Sequence, residues 1–270
     1  MTTKSSSRPH PRLRVDVDGP VMRVTLDAPT CRNAQVPTMW AEMERLATTL
    51  PPEIRVVVLT GEGPAFSAGL DRGMLTPGGV DGEPDLLGLT ADGPEALADL
   101  IETFQHGFTA WRECPALVVA AVQGPAIGAG FQLALAADLR IVATDVRFAM
   151  AEVTLGLVPD LGGTHALTSL VGPSRALELC LTGRSIDAHE AVATGIASLA
   201  VEPDQLDATV DDLVAAVLGA PENTMREMLG LFRGIESRTA AEQQRTERGA
   251  QARILCAMTA AMRGRTRPGA

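Results

Sequence analysis

The sequence has no tyrosine, and aromatic residues of all kinds make up 3% of it. It also lacks a basic stripe with interleaved aromatics, and its formal net charge is -10. An acidic surface of this kind is repelled by phosphate backbones and by anionic lipids. The composition therefore argues against general nucleic-acid binding and against binding to anionic membranes.

Motifs for metals, disulfides, nucleotides and membranes are also missing. Four cysteines stand far apart with no CxxC spacing, which disfavours a zinc site or a disulfide framework. No G-x-G-x-x-G fingerprint or P-loop is present, so nicotinamide and ATP chemistry are not expected. No apolar run is long enough to span a bilayer, and residues 1–11 read as a polar tail without a signal-peptide stretch. A cytoplasmic enzyme without a metal is the expectation.

What the chain does contain is an alternation of apolar runs and helical periodicity. With 270 residues and 46% hydrophobic content, it can bury a sizeable core in one large domain, or in a domain with an appendage. Strands alternating with helices predict an α/β fold. We predict strands at 21–26, 55–60 and 117–122, helices at 36–50, 97–111 and 131–137, a loop at 73–94, and mostly helix beyond Pro203.

Two turns of small residues follow directly after the second and third predicted strands. The first turn spans residues 61–71 (GEGPAFSAGLD), and the second turn spans residues 124–130 (GPAIGAG). Glycine and alanine let a ligand approach the main chain closely, so two such turns can direct two backbone N–H groups at one oxygen. A preorganised pair of donors stabilises an oxyanion or an enolate, and loss of one donor typically costs about 3 kcal/mol of transition-state stabilisation. The sequence therefore predicts a main-chain oxyanion hole.

Four motifs, in order along the chain, resemble the crotonase (enoyl-CoA hydratase/isomerase) family. Two of them are AFSAGLD at residues 65–71 and the second turn. The others are LDAPTCRNA at residues 26–34, which is similar to the early CoA-contacting segment of the family, and AEVTLGLVPDLGGT at residues 151–164. The match extends to LTGR at residues 181–184 and covers most of the chain.

The resemblance implies an architecture and a ligand class. The fold would be the crotonase spiral of ββα units, with an acyl-CoA-binding core at residues 12–202. A C-terminal helical region at residues 203–270 would mediate packing into a homotrimer or a hexamer. Coenzyme A would enter as part of the substrate, so no separate cofactor is implied.

The resemblance also identifies the acids that would move protons. Members that hydrate enoyl-CoA typically use two glutamates, and those positions fall on Gln132 and Glu152. Gln132 cannot ionise, although its amide could orient a water or a substrate oxygen. Asp160 stands where some isomerase-type members carry an acidic residue, and is alternatively a turn residue. Either acid would need a raised pKa, which an apolar pocket of Leu155, Leu157 and Val158 could supply by desolvation.

By the same resemblance, the oxyanion donors are the backbone N–H groups of Ala68 and Ala129. Gly69, Leu70 and Asp71 would line the acyl-thioester end of the site, and Asp71 alternatively caps or braces the loop that follows it. The expected residues for binding substrate and CoA are Arg32, Ala34, Ala68, Gly69, Leu70, Asp71, Ala129 and Gln132.

The surviving acids favour one reaction over another. A single carboxylate that takes a proton from one carbon and returns it to another suffices for double-bond isomerisation, whereas hydration must also activate a water. We therefore expect an enzyme that isomerises an enoyl-CoA, with Glu152 or Asp160 as the shuttling acid. Two alternatives stay open, namely a hydratase that uses Glu152 alone and a non-catalytic acyl-CoA carrier on the same scaffold.

Overall fold

A computed structural model describes residues 4–265 of the protein. Contacts divide the chain into two compact units, one that ends at Asp212 and one that begins at Leu213. All strands of the described chain lie in the first unit. The predicted helical region at 203–270 ends in residues 266–270, which lie outside the described residues, and its role in assembly stays a prediction.

The strands of residues 4–265 form two sheets. They are β1 (Lys4–His10), β2 (Leu13–Asp18), β3 (Val21–Leu26), β4 (Val56–Gly61), β5 (Leu117–Val122), β6 (Pro125–Ile127), β7 (Leu139–Ala143), β8 (Arg147–Ala149) and β9 (Leu199–Val201). The larger sheet has the order β1-β2-β3-β4-β5-β7-β9. Its first three strands are antiparallel, and those from β3 to β9 run parallel. A small parallel sheet joins β6 to β8.

Helices connect most of the parallel strands. They are α1 (Pro37–Thr48), α2 (Pro94–Glu113), α3 (Ala129–Ala136), α4 (Gly163–Val171), α5 (Pro173–Thr182), α6 (Ala188–Ala193), α7 (Leu206–Leu218), α8 (Glu222–Phe232) and α9 (Ala240–Arg265). Helices that link parallel strands cover the faces of the sheet. The predicted α/β fold is confirmed.

The strands that precede the two turns are the centre of the core. Every side chain of β5 is buried, and in β4 only Thr60 is not. Parallel strands covered on both faces have continuous apolar sequences rather than alternating ones, which is why these two segments could be recognised. The helices α1 and α2 pack together through Trp40, whose ring centroid lies 5.2 Å from that of Phe104 and 5.6 Å from that of Phe108.

Two segments differ from the prediction. The segment read as a polar tail contains β1, which is paired with β2, and His10 at its end is hydrogen-bonded through Nε2 to Thr38 Oγ1 at 3.1 Å. The exposed side chains of β1 give no apolar alternation, because an edge strand held by main-chain pairing needs none. The segment predicted as a loop at 73–94 contains two short 3₁₀ helices, Arg72–Leu75 and Gly88–Asp92, and its last residue, Pro94, begins α2.

Candidate active site

The two turns lie against each other. Ser67 of the first turn donates its N–H to the Pro125 carbonyl at 3.0 Å, and the Ile127 N–H donates to the Ser67 carbonyl at 3.0 Å. The contact is so close at Gly69 that a Cβ there would stand 2.5 Å from the Ile127 oxygen and 3.5 Å from the Ala129 nitrogen. Gly69 also has a φ of +87°, which glycine adopts without strain.

The hydrogen bonds of the first turn show that the N–H of Ala68, the predicted donor, has an acceptor within the protein. The N–H of Ala68 donates to the Arg32 carbonyl at 2.8 Å, so it is already used. The N–H of Gly69 donates to Ser67 Oγ at 3.1 Å. No hydrogen bond within residues 4–265 has the N–H of Leu70 or of Ala129 as its donor. The pair of N–H groups available where the turns meet is therefore Leu70 with Ala129.

A buried asparagine fixes the first turn and was not singled out in the sequence. Asn33 has a left-handed φ of +56°. Its Nδ2 donates to the carbonyls of Ala65 at 2.7 Å, Glu62 at 3.0 Å and Phe66 at 3.2 Å. Its Oδ1 accepts the N–H of Ala28 at 2.9 Å. The segment with the predicted CoA contacts and the first turn are thereby held as one unit.

A second buried amide extends this network to α1. Gln35 donates from Nε2 to Ser67 Oγ at 3.0 Å and accepts the Trp40 Nε1–H at 2.8 Å. The Ser67 hydroxyl in turn donates to the Asn33 carbonyl at 2.7 Å. Ser67 is fully buried in these contacts, which makes it a structural hydroxyl rather than a nucleophile. Amides inside apolar surroundings give no periodic signal, so the sequence did not reveal Gln35.

Gln132 and Glu152 contact each other directly. Gln132 lies on α3 and is 2% exposed, and Glu152 begins a 3₁₀ helix at Glu152–Leu155. The Gln132 Nε2 donates to Glu152 Oε1 at 2.8 Å. The Gln132 Oε1 accepts the N–H groups of Leu161 at 2.9 Å and Gly163 at 3.1 Å. The second carboxylate oxygen of Glu152, Oε2, is buried and has no hydrogen-bond partner within the described residues.

Both candidate acids have perturbed acidity. Burial raises the pKa of Glu152, the hydrogen bond from Gln132 opposes this, and the nearby charge of Asp160 adds to it. Burial likewise raises the pKa of Asp160. Asp160 is also anchored through its main chain, because its carbonyl accepts Gln105 Nε2 at 2.6 Å.

The predicted cause of that desolvation is wrong. Leu155, Leu157 and Val158 are 48%, 41% and 73% exposed, so they do not enclose the acids. Glu152 packs instead against Gly128, where a Cβ would lie 3.3 Å from its Oε1.

The remaining predicted binding residues are Arg32, Ala34 and Asp71. Arg32 is exposed beside the first turn with a φ of +52°, while Ala34 is buried. Asp71 forms an ion pair with Arg12 at 2.8 Å and accepts the Gly73 N–H at 3.0 Å. Partial burial alone would raise the pKa of Asp71, but the contacts with Arg12 and Gly73 outweigh it and lower the pKa. The alternative interpretation of Asp71, as a brace for the following loop, agrees with these contacts.

A polar cavity of about 640 Å³ lies away from Glu152 and shares no residue with its contacts. It is lined by Arg14, Arg23, Thr25, Thr60, Gly61, Glu62, Gly63, Pro64, Gln123, Asp145, Pro203, Leu206, Asp207 and Asp211. Its arginines are already paired with carboxylates, Arg14 with Glu62 at 2.9 Å and Arg23 with Asp211 at 2.6 Å. The cavity therefore offers no unpaired cation to an anionic ligand such as CoA.

Comparison with known proteins identifies the family to which the chain belongs. The family model for enoyl-CoA hydratase/isomerase matches residues 16–260. A carnitinyl-CoA dehydratase of Salmonella typhi is 33% identical over 236 residues, which cover 86% of this chain and 84% of that protein. The chain belongs to the enoyl-CoA hydratase/isomerase family, and the crotonase fold implied by its motifs is confirmed.

Solved structures that are similar to this chain support the same family and fold. A candidate enoyl-CoA hydratase of Thermobifida fusca YX is 46% identical with a TM-score of 0.87, over 93% of this chain and 95% of that one. A second structure of a candidate enoyl-CoA hydratase of that organism, in complex with acetoacetyl-CoA, has a TM-score of 0.86 at 46% identity, over 91% and 95% of the two chains. An enoyl-CoA hydratase of Polaromonas sp. JS666 is 29% identical with a TM-score of 0.80, over 95% and 98%.

From Lys4 to Arg265, no helix is both long enough and apolar enough to cross a membrane.

Proposed function

We propose that the protein moves a proton on the acyl group of an enoyl-CoA thioester and thereby shifts its double bond. The observation that carries this proposal is the contact of Gln132 with Glu152 at 2.8 Å. It pairs a neutral amide with a half-buried carboxylate where hydratases of the family typically have two glutamates. One carboxylate can shuttle a proton between two carbons, but a glutamine cannot supply the second proton transfer that hydration requires.

Charge on the thioester oxygen would be stabilised by the N–H groups of Leu70 and Ala129. Both are without an acceptor among the described residues, and they belong to turns that touch at Gly69. Each such donor is worth about 3 kcal/mol in a transition state that develops negative charge. Leu70 replaces Ala68 in this proposal, because the Ala68 N–H donates to the Arg32 carbonyl.

The CoA portion would lie along the exposed Arg32 and the segment that includes Ala34. The structural relative from Thermobifida fusca that is complexed with acetoacetyl-CoA supports an acyl-CoA as the ligand. We also retain the homotrimer or hexamer and the cytoplasmic location as proposals. Size-exclusion chromatography with light scattering on the full chain tests the assembly directly.

A second candidate function is hydration or dehydration. The charge of Asp160 adds to the raised pKa of Glu152, so the two carboxyl groups influence each other. Such a pair supplies an acid and a base together, which would replace the missing glutamate at Gln132. The dehydratase named among the relatives favours this reading over a carrier.

The test compares Glu152→Gln with Asp160→Asn. Glu152→Gln preserves the shape of the side chain and the hydrogen bond with Gln132, and removes only the ability to ionise. We expect it to abolish double-bond migration while the dissociation constant for an acyl-CoA changes little. Full activity in this variant would transfer the role to Asp160, and loss of activity in both variants would favour the acid pair. Wild-type protein that binds acyl-CoA without converting it would indicate a carrier.

A further inference from the structure

The Gln132 side chain can adopt only one amide orientation. Its oxygen accepts two main-chain N–H groups, from Leu161 and Gly163, and those groups can only donate. A flipped amide would direct its own N–H atoms at these donors and its oxygen at the carboxylate of Glu152. Because the side chain is 2% exposed, water cannot compensate for that mismatch. The NH₂ group is therefore fixed toward Glu152.

This orientation makes the two oxygens of Glu152 unequal. Oε1 accepts the Gln132 Nε2–H at 2.8 Å and lies on the side of Gly128. Oε2 is removed from solvent, yet no described residue donates to it. A buried acceptor without a partner is costly in a folded protein, and a catalytic role is one explanation for its retention. It is also the oxygen whose lone pairs no described residue engages.

We propose that Gln132 is a positioning residue that holds Oε1 of Glu152, so that Oε2 is the atom that takes the proton from the substrate and returns it. This inference rests on the proposed function, and it names the atom that transfers the proton and the residue that orients it. Gln132 touches neither the proton nor the thioester in this scheme. Its role is the orientation and the ionisation of the carboxylate.

The steps balance with no further reactant. For a 3-enoyl thioester, the C–H bond next to the thioester breaks, its electron pair enters the enolate, and the proton forms a bond to Oε2. The Oε2–H bond then breaks, the proton bonds to the far carbon of the conjugated system, and the thioester carbonyl is restored. Oε1 can accept from Gln132 in both the ionised and the protonated form, so the carboxyl group stays aimed throughout.

The first test is Gln132→Met, which has similar length and no hydrogen-bond donor. Loss of a donor to the ionised carboxylate should move the acid limb of the kcat profile upward by about one to two pH units. At pH values well above that limb, kcat should still be lower by about 10-fold to 100-fold, because the carboxyl is no longer aimed. The KM for the thioester should stay within about twofold, since binding contacts are intact.

Gln123→Met is the matched control. It removes a half-buried glutamine amide whose nitrogen donates to the Gly63 carbonyl at 3.1 Å rather than to a carboxylate. We expect its acid limb to coincide with that of the wild type.

A second variant covers the case that Gln132→Met does not fold, since that change leaves two N–H groups unpaired. In Gly163→Ala, a Cβ would stand 2.6 Å from Gln132 Cγ and 2.9 Å from its Oε1, so the amide is displaced while Gln132 and Glu152 are both retained. The same upward shift of the acid limb is expected. An unchanged limb and kcat in a folded variant, with Glu152→Gln inactive, would overturn the positioning role alone. Activity in Glu152→Gln would instead overturn the proposed function.

Discussion

The contact between the two turns depends on the absence of a side chain at Gly69. A Cβ added there would stand 2.5 Å from the Ile127 carbonyl oxygen, well inside van der Waals contact, and 3.5 Å from the Ala129 nitrogen. The atom it meets first belongs to the main chain and cannot rotate away. Gly69→Ala must therefore separate the turn that carries the Leu70 N–H from the turn that carries the Ala129 N–H.

Two costs follow from this substitution. A residue with a side chain held at a φ of +87° is strained by about 1–3 kcal/mol. Separation of the turns removes one donor from the thioester oxygen, which is worth about 3 kcal/mol of transition-state stabilisation, or about 10²-fold to 10³-fold in kcat. Strain lowers stability only, whereas loss of the donor lowers kcat.

Gly78→Ala separates the two costs. Gly78 has a φ of +84°, close to that of Gly69, but no atom lies within 4 Å of its added Cβ. We expect both variants to lose stability in chemical denaturation, and Gly69→Ala alone to lose kcat for double-bond migration. A folded Gly69→Ala enzyme with the kcat of the wild type would refute the assignment of the donors. Equal losses of kcat in both variants would also refute it.

Three further outcomes are expected. Burial raises the folded-state pKa of Glu152, so its ionised form destabilises the fold as pH rises through that pKa. The Tm of Glu152→Gln should therefore be higher than that of the wild type at pH 7, and the difference in Tm should vanish below about pH 4. In Asn33→Asp, a carboxylate oxygen would face three carbonyl oxygens in place of the amide donor. The variant should lose more than about 2 kcal/mol of unfolding free energy in urea denaturation, and a loss below about 0.5 kcal/mol would contradict the role of that amide. Asp71→Asn removes the charge opposite Arg12 and should lower stability by about 1 kcal/mol with unchanged acyl-CoA affinity, whereas weakened affinity would make Asp71 a ligand contact.

Much of the fold could be predicted because its signals are local. The apolar runs of β4 and β5 identified buried strands, and the small residues after them identified two turns that indeed meet. Helices with strong apolar periodicity were also found, although their ends moved; α1 is Pro37–Thr48 where 36–50 was predicted. Boundaries depend on capping and packing that a pattern does not specify.

The site was predicted less completely, because its details depend on which main-chain group pairs with which. Ala68 and Leu70 both stand beside Gly69 in the sequence, and only the bond from Ala68 to the Arg32 carbonyl distinguishes a used N–H from an available one. Glu152 contacts Gly128 and Gln132, which are distant in the sequence, while its apolar neighbours are exposed. The amides of Asn33 and Gln35 have their partners in other segments, and no periodicity indicates such contacts.

The most direct test of the proposed chemistry is to incubate the wild-type protein in heavy water with 2-enoyl-CoA and 3-enoyl-CoA thioesters and to analyse the products by mass. We predict that the double bond moves and that deuterium enters the acyl chain over many turnovers, without addition of water. Addition of water would show that Gln132 does not prevent hydration. Thioesters that bind but keep both their double bond and their protons would contradict the role of Glu152 as a proton shuttle.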